Sequence, residues 1–271
     1  MDGTWLPIAL GLIFTGCISG VLAGLLGIGG GIVIVPILFL VLQFVGVSAS
    51  SAMSIATGTS LVIIIATSIS SVRAHHQKGN TDLSLLKLWA PFIVFGAIVG
   101  AALSSRLGGV FASVVFGLIS ILVAMNMLIR ANAKALYSQL PHKALQMFYG
   151  FITGVISVVM GIGGGALGVP ILSAYNFPTH RAVGTSAAFG LIIAVPGVLF
   201  TLLLAPKLAD APVGTFGYIN IIGVALIMPL SVLMAPLGVY LGSKLNGAML
   251  KRVFALFLCI SGIRMLFQAL A

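Results

Sequence analysis

Four glycines in five residues occur twice in this chain. The first run is Gly27-Ile28-Gly29-Gly30-Gly31, and the second is Gly161-Ile162-Gly163-Gly164-Gly165. Each is followed five residues later by a proline, Pro36 or Pro170. Successive glycine N–H groups can turn to one side and make a nest for an anion. Proline is favoured at the first position of a helix, so a short helix is expected to start at each of these two prolines. Such a helix aims its free N–H groups and positive dipole end back at the glycines. Two ends converging on one point would hold an anion with no buried cation. The spacing is not that of a dinucleotide fingerprint, because Ile32 and Ala166 stand where the last glycine belongs and no strand precedes the run.

Other candidate side chains are few. Thr59-Ser60 and Thr185-Ser186 sit in matching Gly-Thr-Ser stretches and offer hydroxyl donors to a substrate. Arg181, after His180, and Arg264, inside the last apolar run, are candidates for a gate or an anion funnel. His75, His76 and His142 read as loop residues. The three acids, Asp2, Asp82 and Asp210, fall near ends or in loops. Acid–base or metal chemistry needs ionisable groups at the site, so no catalytic residue, metal site or cofactor is expected. Cys17 and Cys259 lie in apolar runs and show no metal or disulfide spacing.

The elements that must carry these residues follow from composition. The chain has 271 residues, 60% hydrophobic and 6% charged, against about 25% charged in an ordinary soluble domain. Runs such as "WLPIALGLIFTGCISGVLAGLLG" reach the roughly 20 residues that cross a bilayer. The expectation is an all-α integral membrane protein, multi-pass in the cell (inner) membrane. Its formal charge of +10 sits in short loops between apolar runs. That distribution fits topology signals facing lipid better than a nucleic-acid partner.

The glycine signature is part of an internal repeat. Residues 27–38 and 161–172 share nine identities in twelve positions. Ala56–Ser60 resembles Ala182–Ser186, and residues 116–128 resemble 254–266, in the same order. This predicts a first repeat over 1–130, a linker over 131–143 and a second repeat over 144–271. Each glycine cluster breaks a helix. In the second half the returning arm can run only to about Asn176 before Pro178, too short to cross. Each break is therefore expected to form a re-entrant hairpin, followed by three spanning helices. With that topology ten Lys and Arg residues share one side and only Arg106 and Lys207 the other. If each hairpin crossed once, the better split is seven to five. The positive-inside rule favours the hairpins, with the N-terminus outside. Three crossings per half make the two repeats inverted, an arrangement used by secondary transporters that bind substrate where the breaks meet.

The paired "GLLGIGGGIVIVPIL" and "MGIGGGALGVPIL", each followed by a Gly-Thr-Ser helix, resemble the TauE/SafE family of bacterial sulfite exporters over nearly the whole chain. The resemblance implies a transporter of sulfite, sulfonates or related organosulfur and carboxylate anions. Export is the expected direction. A proton- or sodium-coupled importer, an anion channel and a membrane scaffold are the alternatives. The partners implied are a small anionic substrate and the lipid bilayer.

Overall fold

The computed structural model describes residues 5–129, 136–242 and 247–270, with side chains throughout except at residues 5, 247–254 and 270. Asp2, Arg130, linker residues 131–135 (Lys134 among them) and Lys244 lie outside the described residues, as do the side chains of Lys251 and Arg252. The chain is an all-α integral membrane protein. In order its helices are α1 (Trp5–Leu26), α2 (Gly31–Phe44), α3 (Ala49–Gln77), α4 (Leu83–Ile129), α5 (Lys143–Met160), α6 (Gly165–Ala174), α7 (Thr179–Leu204), α8 (Ile221–Leu241) and α9 (Gly247–Leu270). Between α7 and α8, Thr215–Phe216 pairs antiparallel with Ile219–Asn220 in a small hairpin that the sequence does not announce. Helix α4 would be about 70 Å long if straight, more than twice a bilayer core. Gly108, at φ 75° and ψ −174°, breaks it into two arms.

Among the described residues, six helices are long and apolar enough to cross a membrane. Helices α2 and α6 are not. Their 14 and 10 residues make about 21 and 15 Å. Each doubles back on the helix before it. Ile8 near the start of α1 lines a common groove with Leu40, Val41 and Phe44 at the end of α2. Tyr149 in α5 bonds through its hydroxyl to that of Tyr175, just past α6, at 2.9 Å. The N–H groups of Leu136 and Tyr137 donate to the carbonyl of Ala174, so the described end of the linker is also tied there.

Small residues set the seams. Gly16, Gly20 and Gly24 of α1 back onto Ile227, Ser231 and Ala235 of α8, so the two helices run parallel in backbone contact. Gly150 and Gly154 of α5 do the same against Trp89 and Ile93 in the first arm of α4. These two seams correspond under the internal repeat. The matching helices themselves run antiparallel. Leu61 of α3 lies by Gly197 of α7, while Ser68 lies by Gly190. Gly117 in the second arm of α4 lies by Leu266 of α9, while Gly262 lies by Ile121. Without water to drive helix association inside lipid, such close packing of small residues holds the bundle.

A side chain at Gly100 would meet the carbonyl oxygen of Val155 at 2.5 Å, whereas nothing lies within 4 Å of one at Gly11. Gly100→Leu should therefore force α4 off α5 at a cost of at least about 1–3 kcal/mol. It is expected to lower the melting temperature and the monodisperse yield in detergent, while Gly11→Ala leaves both unchanged.

Candidate functional site

The two glycine signatures meet. A side chain on Gly29 would reach the Cα of Gly163 at 3.2 Å. Gly27 faces Gly165 and Gly31 faces Gly161, so the two segments cross antiparallel, with Gly29 and Gly163 at the crossing. Ile64 of α3 packs against Gly29 there. Both segments are buried.

Each glycine has its own reason. Gly27 (φ 69°) ends α1, its N–H donating to the carbonyl of Ala23 in a left-handed cap. Gly161 (φ 65°) ends α5 in a Schellman motif, with Gly161 N–H to Val158 and Ile162 N–H to Ser157. The last glycine of each run, Gly31 or Gly165, begins the next helix and lies against a carbonyl of the opposite segment, that of Gly161 or Gly27.

That placement corrects one expectation. Neither α2 nor α6 starts at a proline. Pro36 and Pro170 lie inside them, at the sixth helical position. The helices start earlier because the glycine backbone turns directly into the first helical turn. Each proline then leaves the carbonyl four residues back, Ile32 or Ala166, without its helical N–H. The N–H groups of Gly29, Gly30 and Gly31, and of Gly163, Gly164 and Gly165, have no hydrogen-bond acceptor among the described residues. Six buried donors thus cluster at the positive ends of two short helices.

The four candidate hydroxyls separate into two kinds. Thr59 accepts from the N–H of Asn220 at 2.9 Å, and Thr185 from the N–H of Asp82 at 2.9 Å. These are matching ties, each binding one half's Gly-Thr-Ser helix to the residue that caps a helix of the other half. Asn220 caps α8 through Gly223, and Asp82 caps α4 through Leu85. Ser60 donates to the carbonyl of Gly161 at 2.7 Å. Ser186, its counterpart, is fully buried against Gly168 on the first turns of α6, and its hydroxyl has no partner among the described residues. The caps could have been suspected from a lone Asp and Asn ahead of apolar runs. Their cross-half hydrogen bonds had no sequence signal.

Arg181 is not a free cation. Its guanidinium pairs with Asp82 at 2.7 Å and lies over the ring of Phe177. Arg264 is exposed on α9, away from the glycine crossing. His75 and His76 do not lie in a loop. They close α3, and His75 is buried with Nε2 against the carbonyl of Gly24, at 2.9 Å. His142 caps α5, with Nδ1 accepting from Leu145. Asp210, in the segment after α7, accepts from the Ser51 hydroxyl at 2.5 Å and the Ser48 N–H at 2.8 Å. Those bonds, Ser51 first, draw its carboxyl down to about 2. The described residues hold no cluster of His, Cys, Asp or Glu suited to a metal.

Removing one serine should separate the two kinds of hydroxyl. Ser60→Ala leaves the Gly161 carbonyl buried and unpaired, a loss of about 1–3 kcal/mol, and should lower the melting temperature. Ser186→Ala breaks no bond and should leave it unchanged. For Asp210 the folded carboxyl lies below its unfolded value, so its hold on α3 is complete above about pH 4 and is lost as pH falls through about 2. Asp210→Asn should accordingly speed hydrogen exchange at Ser48 and Ser51 at pH 7, by an amount that stays constant down to pH 5.

The family model described as sulfite exporter TauE/SafE matches residues 12–265 of the chain. A probable membrane transporter protein of Haemophilus influenzae is 32% identical, over 93% of this chain and 96% of that protein. Probable membrane transporter proteins of Methanocaldococcus jannaschii (27% identical, 94% of each chain) and Bacillus subtilis (24% identical, 96% of this chain and 97% of the relative) are similar over the same extent. No solved structure matches the chain.

Proposed function

The chain belongs to the sulfite exporter TauE/SafE family of membrane transporters, and from that premise we propose that it carries a small oxyanion outward across the cell membrane. The anion is sulfite, a sulfonate or a related organosulfur or carboxylate species. It binds where the two glycine segments cross. The observation that carries this reading is the set of unpaired N–H groups at Gly29–Gly31 and Gly163–Gly165, aligned with the starts of α2 and α6. Buried backbone donors are otherwise nearly always satisfied, and in a membrane each unpaired group costs several kcal/mol. An oxyanion supplies the acceptors they lack.

The hydroxyl of Ser186 adds a seventh donor on the α6 side. Ser60 adds none, being spent on Gly161. The site is therefore lopsided, with its stronger half at α6. The two repeats lie inverted in the membrane, with the hairpins re-entrant and the N-terminus outside. Supporting this are the antiparallel α3–α7 and α4–α9 pairs and the doubling back of α2 and α6. Alternating access then follows from rocking one half against the other about the crossing.

Transport is uncoupled in this reading. Both described carboxylates are spent on loop and cap bonds outside the bundle interior. A monoanion then follows its gradient. An inside-negative potential of about 100 mV drives exit by about 2.3 kcal/mol, roughly fifty-fold in concentration.

In proteoliposomes with an imposed potassium-diffusion potential and no sodium or pH gradient, sulfite should move toward the positive side. Ser186→Ala should raise the half-saturating concentration about tenfold. Movement that ignores the potential but follows a proton or sodium gradient would replace export with coupled uptake. For topology, a cysteine at Lys78 should resist an impermeant thiol reagent outside intact cells, and one at Asp210 should react. Labelling at Lys78 would reverse the orientation.

A further inference from the structure

Far from the glycine crossing, a groove of about 500 Å³ opens between the start of α1, the end of α2 and the C-terminal part of α9. Ile8, Leu40, Val41 and Phe44 make its apolar walls, and Gln43 and Arg264 are its polar members. Arg264 has no carboxylate within ion-pair distance among the described residues. The described acids are engaged elsewhere, Asp82 with Arg181 and Asp210 with Ser48 and Ser51. Gln43 accepts from the Gln268 amide at 2.7 Å through Oε1. Its own amide nitrogen has no acceptor among the described residues.

The surface around the groove is built to meet hydrocarbon. Phe44 is 73% exposed and Phe267 74%, and Ile260 and Ile263 beside Arg264 on α9 are exposed as well. Depth agrees. Arg264 lies six residues from the end of α9, about 9 Å along the axis. A helix of about 36 Å centred on a core of about 30 Å would put its Cα a few ångströms inside the hydrocarbon. A long Arg side chain reaches from there to the phosphate level. A free oxyanion would cover the guanidinium but leave four apolar walls bare. A molecule with a phosphate at one end and a hydrocarbon chain at the other covers both.

We infer that this groove is a binding site for an anionic glycerophospholipid. The Arg264 guanidinium takes the phosphate through a charge-assisted fork, the Gln43 amide adds a third donor, and one acyl chain lies along Ile8 and Leu40. The site is independent of which anion the glycine crossing carries.

The test uses the purified, delipidated full chain in neutral detergent. Phosphatidylglycerol, phosphatidylcholine with the same acyl chains, and chain-free glycerol phosphate are compared by thermal shift and by native mass spectrometry. Phosphatidylglycerol should raise the melting temperature and remain bound as one molecule per chain, phosphatidylcholine should do so more weakly, and glycerol phosphate should do neither. Arg264→Gln should weaken phosphatidylglycerol about tenfold and abolish the preference between lipids, and Arg264→Lys should restore part of it. Leu40→Trp should fill the groove and lower the affinity for both lipids, which tests the site even if Arg264→Gln is not recovered folded. Undiminished phosphatidylglycerol preference in Arg264→Gln would overturn the proposal. So would unchanged lipid binding in Leu40→Trp, or a glycerol phosphate effect equal to that of the lipid, which would make the groove an anion site only.

Discussion

The structure depends on the contact of two polypeptide backbones inside a membrane. Where Gly27–Gly31 crosses Gly161–Gly165, Gly29, Gly31, Gly163 and Gly165 lie directly against carbonyl and Cα atoms of the opposite run. Backbone buried this deeply must be either hydrogen-bonded or in contact with something polar. The chain meets part of that demand itself. Gly27 and Gly161 close their helices with left-handed caps, and Ser60 covers the Gly161 carbonyl. The N–H groups that begin α2 and α6 are what remains, without an acceptor among the described residues.

The rest of the bundle positions that crossing. Helices α1 and α5 bring the first glycines in, and each is fixed in parallel register to a helix of the other half by small residues, Gly16, Gly20 and Gly24 in one case and Gly150 and Gly154 in the other. Helices α3 and α7 cross beside Gly29, where Ile64 and Gly190 meet. The Gly-Thr-Ser stretches then tie each half to the other's caps, Thr59 to Asn220 and Thr185 to Asp82. These hydrogen bonds and helix seams interlock the two repeats around the crossing.

The matching segments are not equivalent where they meet. Ser60 and Ser186 match in sequence yet differ in bonding. Gly168 of α6 leaves room for the Ser186 hydroxyl and the Phe189 ring, where the matching position of α2 carries Ile34. Phe189 stacks on Trp89, with 5.2 Å between ring centres, and Trp89 donates to Gln146. One half thus presents an aromatic wall behind a free hydroxyl, and the other an aliphatic wall behind an occupied one.

The sequence by itself determined the membrane class, the duplicated pattern, the broken helices and the brevity of α6, because these follow from composition, helix propensity and the length of a bilayer. It also marked the glycines that meet. It misplaced the helix starts at Pro36 and Pro170, since a proline signals the first turn only when nothing earlier does, and here Gly31 and Gly165 begin the helices. His75 read as a loop residue because its burial depends on α1, which lies some fifty positions away. That Ser60 and Ser186 differ, that Arg181 is neutralised by Asp82, and that Arg264 faces an apolar groove were decided only by the tertiary structure. Each depends on which atoms from distant segments arrive beside a side chain, and residue type and spacing along one chain do not encode that.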